Sequence, residues 1–243
     1  MTPKGWILPA AALAAGLAWS GVAQPGARAD GVAPAEPVVV ELFTAQGCAG
    51  CPEANQVVEA LADRPGVIAL TWPVDYWDYL GWRDTLARPE FTQRQQAYRQ
   101  ALRLRAVATP QVIIDGRRSA LATQADALRR AVDEEAERRI FPPELEFRTT
   151  GRQVGVGSGR APSGGADVLA VVFAPGTQVV RVQAGDNRGK SVRHVNVVKR
   201  IQRLGAWTGR PALYATPRLR GGEQVAVLVQ SRADRRILNA AVR

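Results

Sequence analysis

The chain has 243 residues and a formal net charge of +10, with 32 basic and 22 acidic residues. Of the basic residues, 29 are arginines. They are scattered, without a run of five like charges or an alternation with aromatic residues, which argues against a nucleic-acid-binding protein. Two cysteines and one histidine are too few ligands for a structural zinc site.

The first 29 residues have the pattern of an export signal. Lys4 supplies a positive charge, residues 6–19 are largely apolar, and residues 27–29 read Ala-Arg-Ala, an A-x-A cleavage site. The apolar stretch is short for a membrane span, and no later segment is longer. We therefore predict a signal peptide at residues 1–29 and a periplasmic or secreted protein without stable membrane insertion. An uncleaved amino-terminal anchor is the alternative.

Apolar periodicity divides the remainder into two parts. In the first part strands alternate with helices: strands are predicted at residues 38–43, 67–72 and 111–116, and helices at residues 53–62, 89–104 and 125–140. Pro142 and Pro143 end this pattern. Short β-type runs separated by Gly-rich and Pro-Gly turns then follow, which favours a β-sandwich or barrel. The predicted domains are residues 30–143 and 144–243.

The cysteines form the motif Cys48-Ala49-Gly50-Cys51 between the first strand and the first helix. A ring of four residues is a weak staple, worth roughly 2 kcal/mol on the chain-entropy model. The amino end of a helix stabilises a thiolate, so we expect Cys48 to attack a partner and Cys51 to resolve the mixed disulfide. A structural disulfide and copper handling by the two thiolates are the alternatives.

Several motifs together resemble a bacterial family of exported, thioredoxin-like proteins of unknown function. They are VELFTAQGC at residues 40–48, Cys51-Pro52, VDYWDYLGW at residues 74–82, Thr109-Pro110-Gln111, and HVNVV at residues 194–198. The resemblance implies an α/β thioredoxin-like domain followed by a β-sandwich-like carboxy-terminal domain. Because ligands are scarce, we predict no cofactor and no resident metal.

The thioredoxin fold also implies roles for Thr109 and Pro110. Pro110 would be a cis proline that faces the disulfide, and Thr109 would offer its backbone to an extended substrate segment. A cis peptide bond before proline is uncommon and usually selected. The alternative is a plain Thr-Pro turn ahead of a strand.

Glu41 is a carboxylate within an otherwise apolar strand, and its burial is costly unless it has a partner. It resembles the buried acid that assists proton transfer to the resolving thiol in thioredoxins, here Cys51. One residue more separates it from the first cysteine than in that family. The alternative is an edge position in water or a salt bridge to an arginine.

An aromatic segment follows the second strand. Asp75, Tyr76 and Trp77 could form a substrate-binding platform beside the cysteines, or could pack the loop onto the core. The single histidine, His194, is predicted to be a half-exposed strand residue; the alternative brings it to the cysteines as a base or copper ligand.

The sequence therefore predicts a thiol-disulfide oxidoreductase that exchanges disulfides with exported proteins through Cys48 and Cys51. The alternatives are a non-catalytic binding protein with a structural disulfide and a copper-handling protein.

Overall fold

The computed structural model describes residue 1 and residues 36–138, 142–148 and 151–243. The predicted signal peptide, apart from Met1, lies outside the described residues and stays a prediction. The strands are β1 Val38–Thr44, β2 Val67–Pro73, β3 Gln111–Ile114, β4 Arg118–Ala120, β5 Leu145–Phe147, β6 Gln153–Val156, β7 Ala166–Arg181, β8 Ser191–Trp207, β9 Ala212–Ala215, β10 Gln224–Ser231 and β11 Ile237–Val242; the α-helices are α1 Cys51–Ala62, α2 Pro89–Ala101 and α3 Ala125–Glu137.

One large mixed sheet connects the two parts of the chain. Its eight strands are ordered β11-β10-β7-β8-β2-β1-β3-β4, and β5, β6 and β9 form a second, small sheet. β1 is parallel to β2 and antiparallel to β3. The mixed α/β character is confirmed. The predicted thioredoxin-like and β-sandwich parts contribute strands to the same sheet, with β8 lying next to β2.

Alternation along β1 explains how both faces of this sheet are covered. Val39 and Phe43 pack in a core that includes Phe91 and Tyr98 of α2. Val40 and Leu42, which point to the opposite face, pack in a second core with apolar residues of α1 and α3. A third core lies between the small sheet and strands β7 and β10.

Several predicted elements have other bounds in the structure: β3 ends at Ile114 instead of residue 116, and α2 ends at Ala101 instead of residue 104. Pro175-Gly176, predicted to be a turn, lies inside the 16-residue β7, where the pairing with β8 shifts register. Gly176 has a φ of +78°, which glycine adopts without a steric penalty, and its N–H donates to Asn196 Oδ1 at 3.0 Å. α1 begins at Cys51 itself, two residues earlier than predicted.

Candidate functional site

Cys48 and Cys51 form a disulfide where β1 leads through a turn into α1. The Cys51 N–H donates to the Cys48 carbonyl at 3.1 Å, which closes the turn. Cys48 is 2% exposed and Cys51 is fully buried, whereas Ala49 and Gly50 are exposed. Solvent therefore reaches the tip between the cysteines more easily than either sulfur.

Thr109 and Pro110 lie against this turn. The peptide bond between them is cis, and the Thr109 carbonyl oxygen is 3.6 Å from Cys48 Sγ. Both residues are half-buried. A Cβ atom added at Gly50 would lie 3.7 Å from Pro110 Cδ, in ordinary contact. The structure thus brings together Cys48, Thr109 and Pro110, while the substrate-binding role of Thr109 stays a prediction.

Two of the three predicted residues of the aromatic segment, Tyr76 and Trp77, lie at the same place. Trp77 Nε1 donates to Thr109 Oγ1 at 2.6 Å. Tyr76 and Trp77 pack against the core that contains the cysteines, and burial raises the pKa of Tyr76, although Gln95 and Thr109 act in the opposite direction. Asp75 Oδ1 instead accepts a hydrogen bond at 2.6 Å from Thr92 of α2. The platform role of all three stays a prediction.

Sequence reasoning missed the polar residues that hold the loop before Cys48. Asp84 Oδ2 accepts the Gln46 N–H at 2.7 Å, and Trp82 Nε1 donates to Gln46 Oε1 at 2.8 Å. Burial raises the pKa of Asp84 to about 6, and its backbone hydrogen bonds oppose this shift. No sequence signal paired Asp84 with Gln46, because the pair forms only when the aromatic segment folds back.

A second missed residue comes from the β7–β8 hairpin. Asn187, at its tip, is fully buried and donates from Nδ2 to the carbonyl oxygens of Gln46 at 2.9 Å and Cys48 at 2.7 Å. The sequence marked this stretch only as a turn. The hairpin tip therefore covers the loop that carries the disulfide.

Glu41 is fully buried and forms an ion pair with Arg94 of α2. Arg94 Nε lies 2.7 Å from Glu41 Oε1, and Arg94 Nη2 lies 3.0 Å from Oε2. The Tyr98 hydroxyl also donates to Oε2, and Gln230 of β10 bonds both Arg94 and Tyr98. The predicted alternative of a salt bridge to an arginine is therefore present. The role of Glu41 in proton transfer to Cys51 stays a prediction.

His194 is fully buried, so the predicted half-exposed position is wrong. Its Nδ1 lies 3.2 Å from Asn55 Nδ2, and Asn55 also donates to the Arg193 carbonyl and accepts from Thr44. Burial lowers the pKa of His194 to about 4. The histidine is thus tied to α1 through Asn55, one helical turn after Cys51.

Neither a membrane-spanning helix nor a cluster of metal ligands occurs among the described residues. No helix among them is long and apolar enough to span a membrane. No group of three or more His, Cys, Asp and Glu side chains in residues 36–138, 142–148 and 151–243 is placed to hold a metal ion.

Residues 39–230 match the model of a family described as protein of unknown function (DUF1223). The chain belongs to this family. The family resemblance noted in the sequence is thereby confirmed, and it carries no established activity.

Solved structures of other proteins share the fold of this DUF1223 chain. A crystal structure of an Agrobacterium tumefaciens protein is 29% identical with a TM-score of 0.70, covering 86% of this chain and 94% of that chain. HBP35 of Porphyromonas gingivalis is 15% identical with a TM-score of 0.59, covering 86% and 74%. The second match shows the fold alone. No curated protein matches the chain.

Proposed function

We propose that the protein is an exported, thioredoxin-like oxidoreductase that exchanges disulfides with other periplasmic or secreted proteins through Cys48 and Cys51. The observation that carries this proposal is the placement of the Cys48–Cys51 disulfide at the amino end of α1, with the Thr109 carbonyl 3.6 Å from Cys48 Sγ and Pro110 beside it. The order strand, C-x-x-C, helix and cis-proline ahead of β3 is what the thioredoxin resemblance implies.

The exchange proceeds in two steps, each of which is the attack of a thiolate on a disulfide. A thiolate of a reduced partner attacks Cys48 Sγ, the Cys48–Cys51 bond breaks, and Cys51 leaves as a thiolate. A second partner thiolate then attacks the partner sulfur of the mixed disulfide and releases the Cys48 thiolate. The partner loses two electrons and the chain gains them; the same steps in reverse reduce a partner disulfide.

The amino end of α1 supports this assignment of roles. Cys48 precedes the helix and retains 2% exposure, whereas Cys51 is the first helical residue and is fully buried. Unpaired N–H groups at a helix amino end favour an anion, and the thiolate that a partner can reach is the one that attacks.

The low exposure of Cys48 favours a second candidate function. A disulfide covered by Trp77, Thr109 and the Asn187 hairpin tip would be structural, and the protein would then act as a binding module. Exchange requires that a partner sulfur reach Cys48, so the two candidates differ in whether the native protein permits this approach.

Reduction under native conditions distinguishes the two candidates. The full chain is treated with dithiothreitol, and thiols are counted over time by alkylation and mass spectrometry. The exchange function predicts reduction much faster than global unfolding, whose rate is measured by urea-induced unfolding kinetics extrapolated to water. Reduction only at the rate of global unfolding would assign the disulfide a structural role.

Trapping tests the roles of the two cysteines. Reduced Cys51→Ser is mixed with an unfolded polypeptide that contains a disulfide, and products are separated by non-reducing electrophoresis. With Cys51→Ser we expect a mixed disulfide, which dithiothreitol should reduce. Cys48→Ser, the matched control, leaves only the buried sulfur and should form little adduct; equal adduct from both variants would contradict the assignment.

A further inference from the structure

The segment that carries Thr109 and Pro110 is held by few hydrogen bonds of its own backbone. It connects α2 to β3, and none of residues 102–110 is buried. No backbone N–H of residues 105–109 donates to a backbone carbonyl of the described chain. The segment nevertheless places the Thr109 carbonyl 3.6 Å from Cys48 Sγ. Side chains of other elements must therefore fix its position.

Gln95 of α2 supplies two of these contacts. It is fully buried, and its Nε2 donates to the Ala108 carbonyl and to Gln111 Oε1, both at 2.8 Å. A carbonyl oxygen only accepts, so the atom of Gln95 that faces Ala108 must be the nitrogen. Ala108 precedes and Gln111 follows the pair Thr109-Pro110. One side chain thus binds the segment on both sides of the residues that lie against the disulfide.

Both ends of this connection are attached to β1. Arg94, which precedes Gln95 in α2, forms the buried ion pair with Glu41 of β1. Gln111 is the first residue of β3 and pairs with Phe43 of β1. A functional site keeps its geometry when the side chains that support it are themselves fixed. Gln95 therefore ties an otherwise weakly held segment to the strand that leads to Cys48.

Trp77 contacts the same segment in a different way. Its Nε1 donates to the side-chain hydroxyl of Thr109. Gln95 instead binds the backbone carbonyl that immediately precedes Thr109. An extended partner segment would meet the backbone at Thr109, so its position depends more directly on Gln95 than on Trp77.

We propose that Gln95 is a positioning residue for disulfide exchange, which holds the Thr109-Pro110 backbone where a polypeptide partner docks. This inference rests on the proposed exchange function. Gln95 acts through the backbone of the segment and not on the sulfur atoms. A polypeptide uses the segment as a docking surface, whereas a small thiol needs only a path to Cys48 Sγ. Loss of Gln95 should therefore weaken the docking of a polypeptide without slowing reduction by a small thiol.

Two reactions of the oxidised full chain test this role. In the first, a reduced, unfolded polypeptide that contains two cysteines is added in excess, and the rate of disulfide transfer is measured against its concentration. In the second, dithiothreitol reduces the same protein. Gln95→Met should raise the half-saturating polypeptide concentration by about tenfold or more, because a small displacement of a positioning contact has a large kinetic effect. The limiting rate of transfer and the rate of reduction by dithiothreitol should stay near the wild-type values.

Gln100→Met is the matched control, because Gln100 is exposed on the same helix. It should leave both reactions unchanged. Circular dichroism and the melting temperature establish that each variant folds. Should Gln95→Met fail to fold, Gln111→Met replaces it, since it removes the hydrogen bond between Gln95 and Gln111 from the other side. It should raise the half-saturating concentration by a smaller factor, and an unchanged value would refute the role.

Two results with Gln95→Met would overturn the proposal: equal slowing of both reactions, or a half-saturating polypeptide concentration equal to that of Gln100→Met. Absence of any transfer between the wild-type chain and the polypeptide would refute the exchange function, and the positioning role with it. The two failures are distinguishable, because only the first leaves the transfer by the wild-type chain intact.

Discussion

Two of the buried contacts between the carboxy-terminal strands and the amino-terminal part of the protein use opposite chemistry. At one, Gln230 of β10 joins the ion pair of Glu41 and Arg94. At the other, Asn187 of the β7–β8 hairpin donates two neutral hydrogen bonds to the loop that carries Cys48. The charged contact lies in the core, and the neutral one lies over the disulfide.

The difference indicates which contact can open. Moving β10 away would take Gln230 from the buried Arg94 guanidinium and the Tyr98 hydroxyl, and a buried charged group that loses a hydrogen-bond partner costs more free energy than a neutral one. The carbonyl groups that Asn187 binds can be hydrated when the hairpin tip moves away, so the cost there is smaller. Local opening in proteins uses such weaker elements. We therefore expect access to Cys48 to come from the hairpin tip.

The largest expected effect comes from breaking the charged contact. Arg94→Met leaves the Glu41 carboxylate buried without its cation and should lower the free energy of unfolding by about 3–5 kcal/mol. Urea denaturation followed by circular dichroism measures this change. The double variant Glu41→Leu with Arg94→Met should recover most of the loss, because it removes the stranded charge as well.

An exposed ion pair is the matched control. Arg64 and Asp133 lie 2.7 Å apart with side chains 37% and 55% exposed. Arg64→Met should cost at most about 1 kcal/mol, the usual value for a surface pair. A loss as large as that of Arg94→Met would contradict the importance of burial.

Acid provides the second test, because His194 fixes β8 to α1 in the neutral form. Its pKa of about 4 lies below the ordinary histidine value of about 6.5, so the unfolded chain binds the proton more readily. Stability from this group is full above pH 6.5 and is lost as the pH falls toward 4. The change is about 3 kcal/mol, and urea unfolding across this range measures it.

The variant His194→Asn should flatten this part of the pH profile. Asp84 acts with the opposite sign: burial raises its pKa to about 6, so its contribution is present at low pH and is lost as the pH rises through 6. The difference between wild type and His194→Asn isolates the histidine, since Asp84 is common to both. Identical profiles would refute the buried neutral histidine.

The third effect tests the neutral contact itself. Asn187→Ala removes the two hydrogen bonds to the loop that carries Cys48 and a third, from Lys190 within the hairpin tip, and should lower the free energy of unfolding by about 1–3 kcal/mol. It should also speed native reduction of the disulfide by dithiothreitol, because the hairpin tip is released. Thiol counting over time measures the rate.

Arg188→Ala is the control for this variant, because Arg188 is exposed on the same hairpin tip. It should leave both the stability and the reduction rate unchanged. Faster unfolding without faster reduction in Asn187→Ala would mean that the tip stabilises the fold but does not govern access to Cys48.

Local sequence patterns were sufficient to locate the C-x-x-C motif but not the residues that pack around it. The strand, C-x-x-C and helix lie within 25 consecutive residues, and periodicity and the motif identified them. Asn187 and Gln46 are 141 residues apart, and Arg94 and Glu41 are 53 apart. Such contacts form only when the sheet assembles, and the sequence around either residue does not predict its partner.

The β-strands show the same limit. Pro175-Gly176 has the composition of a turn, yet pairing with β8 continues past it because a bulge absorbs the extra residue. The single sheet likewise depends on β8 joining β2, where only Thr71 and Val197 pair in register. Side chains reinforce this junction: Asn196 Nδ2 donates to the Ala69 carbonyl at 3.0 Å. The apolar pattern of a single strand does not predict that β8 pairs with β2.

The smallest expected effect concerns the other side of the disulfide. Trp77→Phe keeps the ring packing but removes the hydrogen bond from Nε1 to Thr109 Oγ1, and should cost about 1 kcal/mol. Tyr79→Phe is the control, because Tyr79 is 79% exposed. If Trp77 positions Thr109 for a substrate segment, Trp77→Phe should slow exchange with an unfolded polypeptide more than reduction by dithiothreitol. Equal slowing of both reactions would instead make Trp77 a packing residue, and the hairpin tip would then be the element of this surface that governs access.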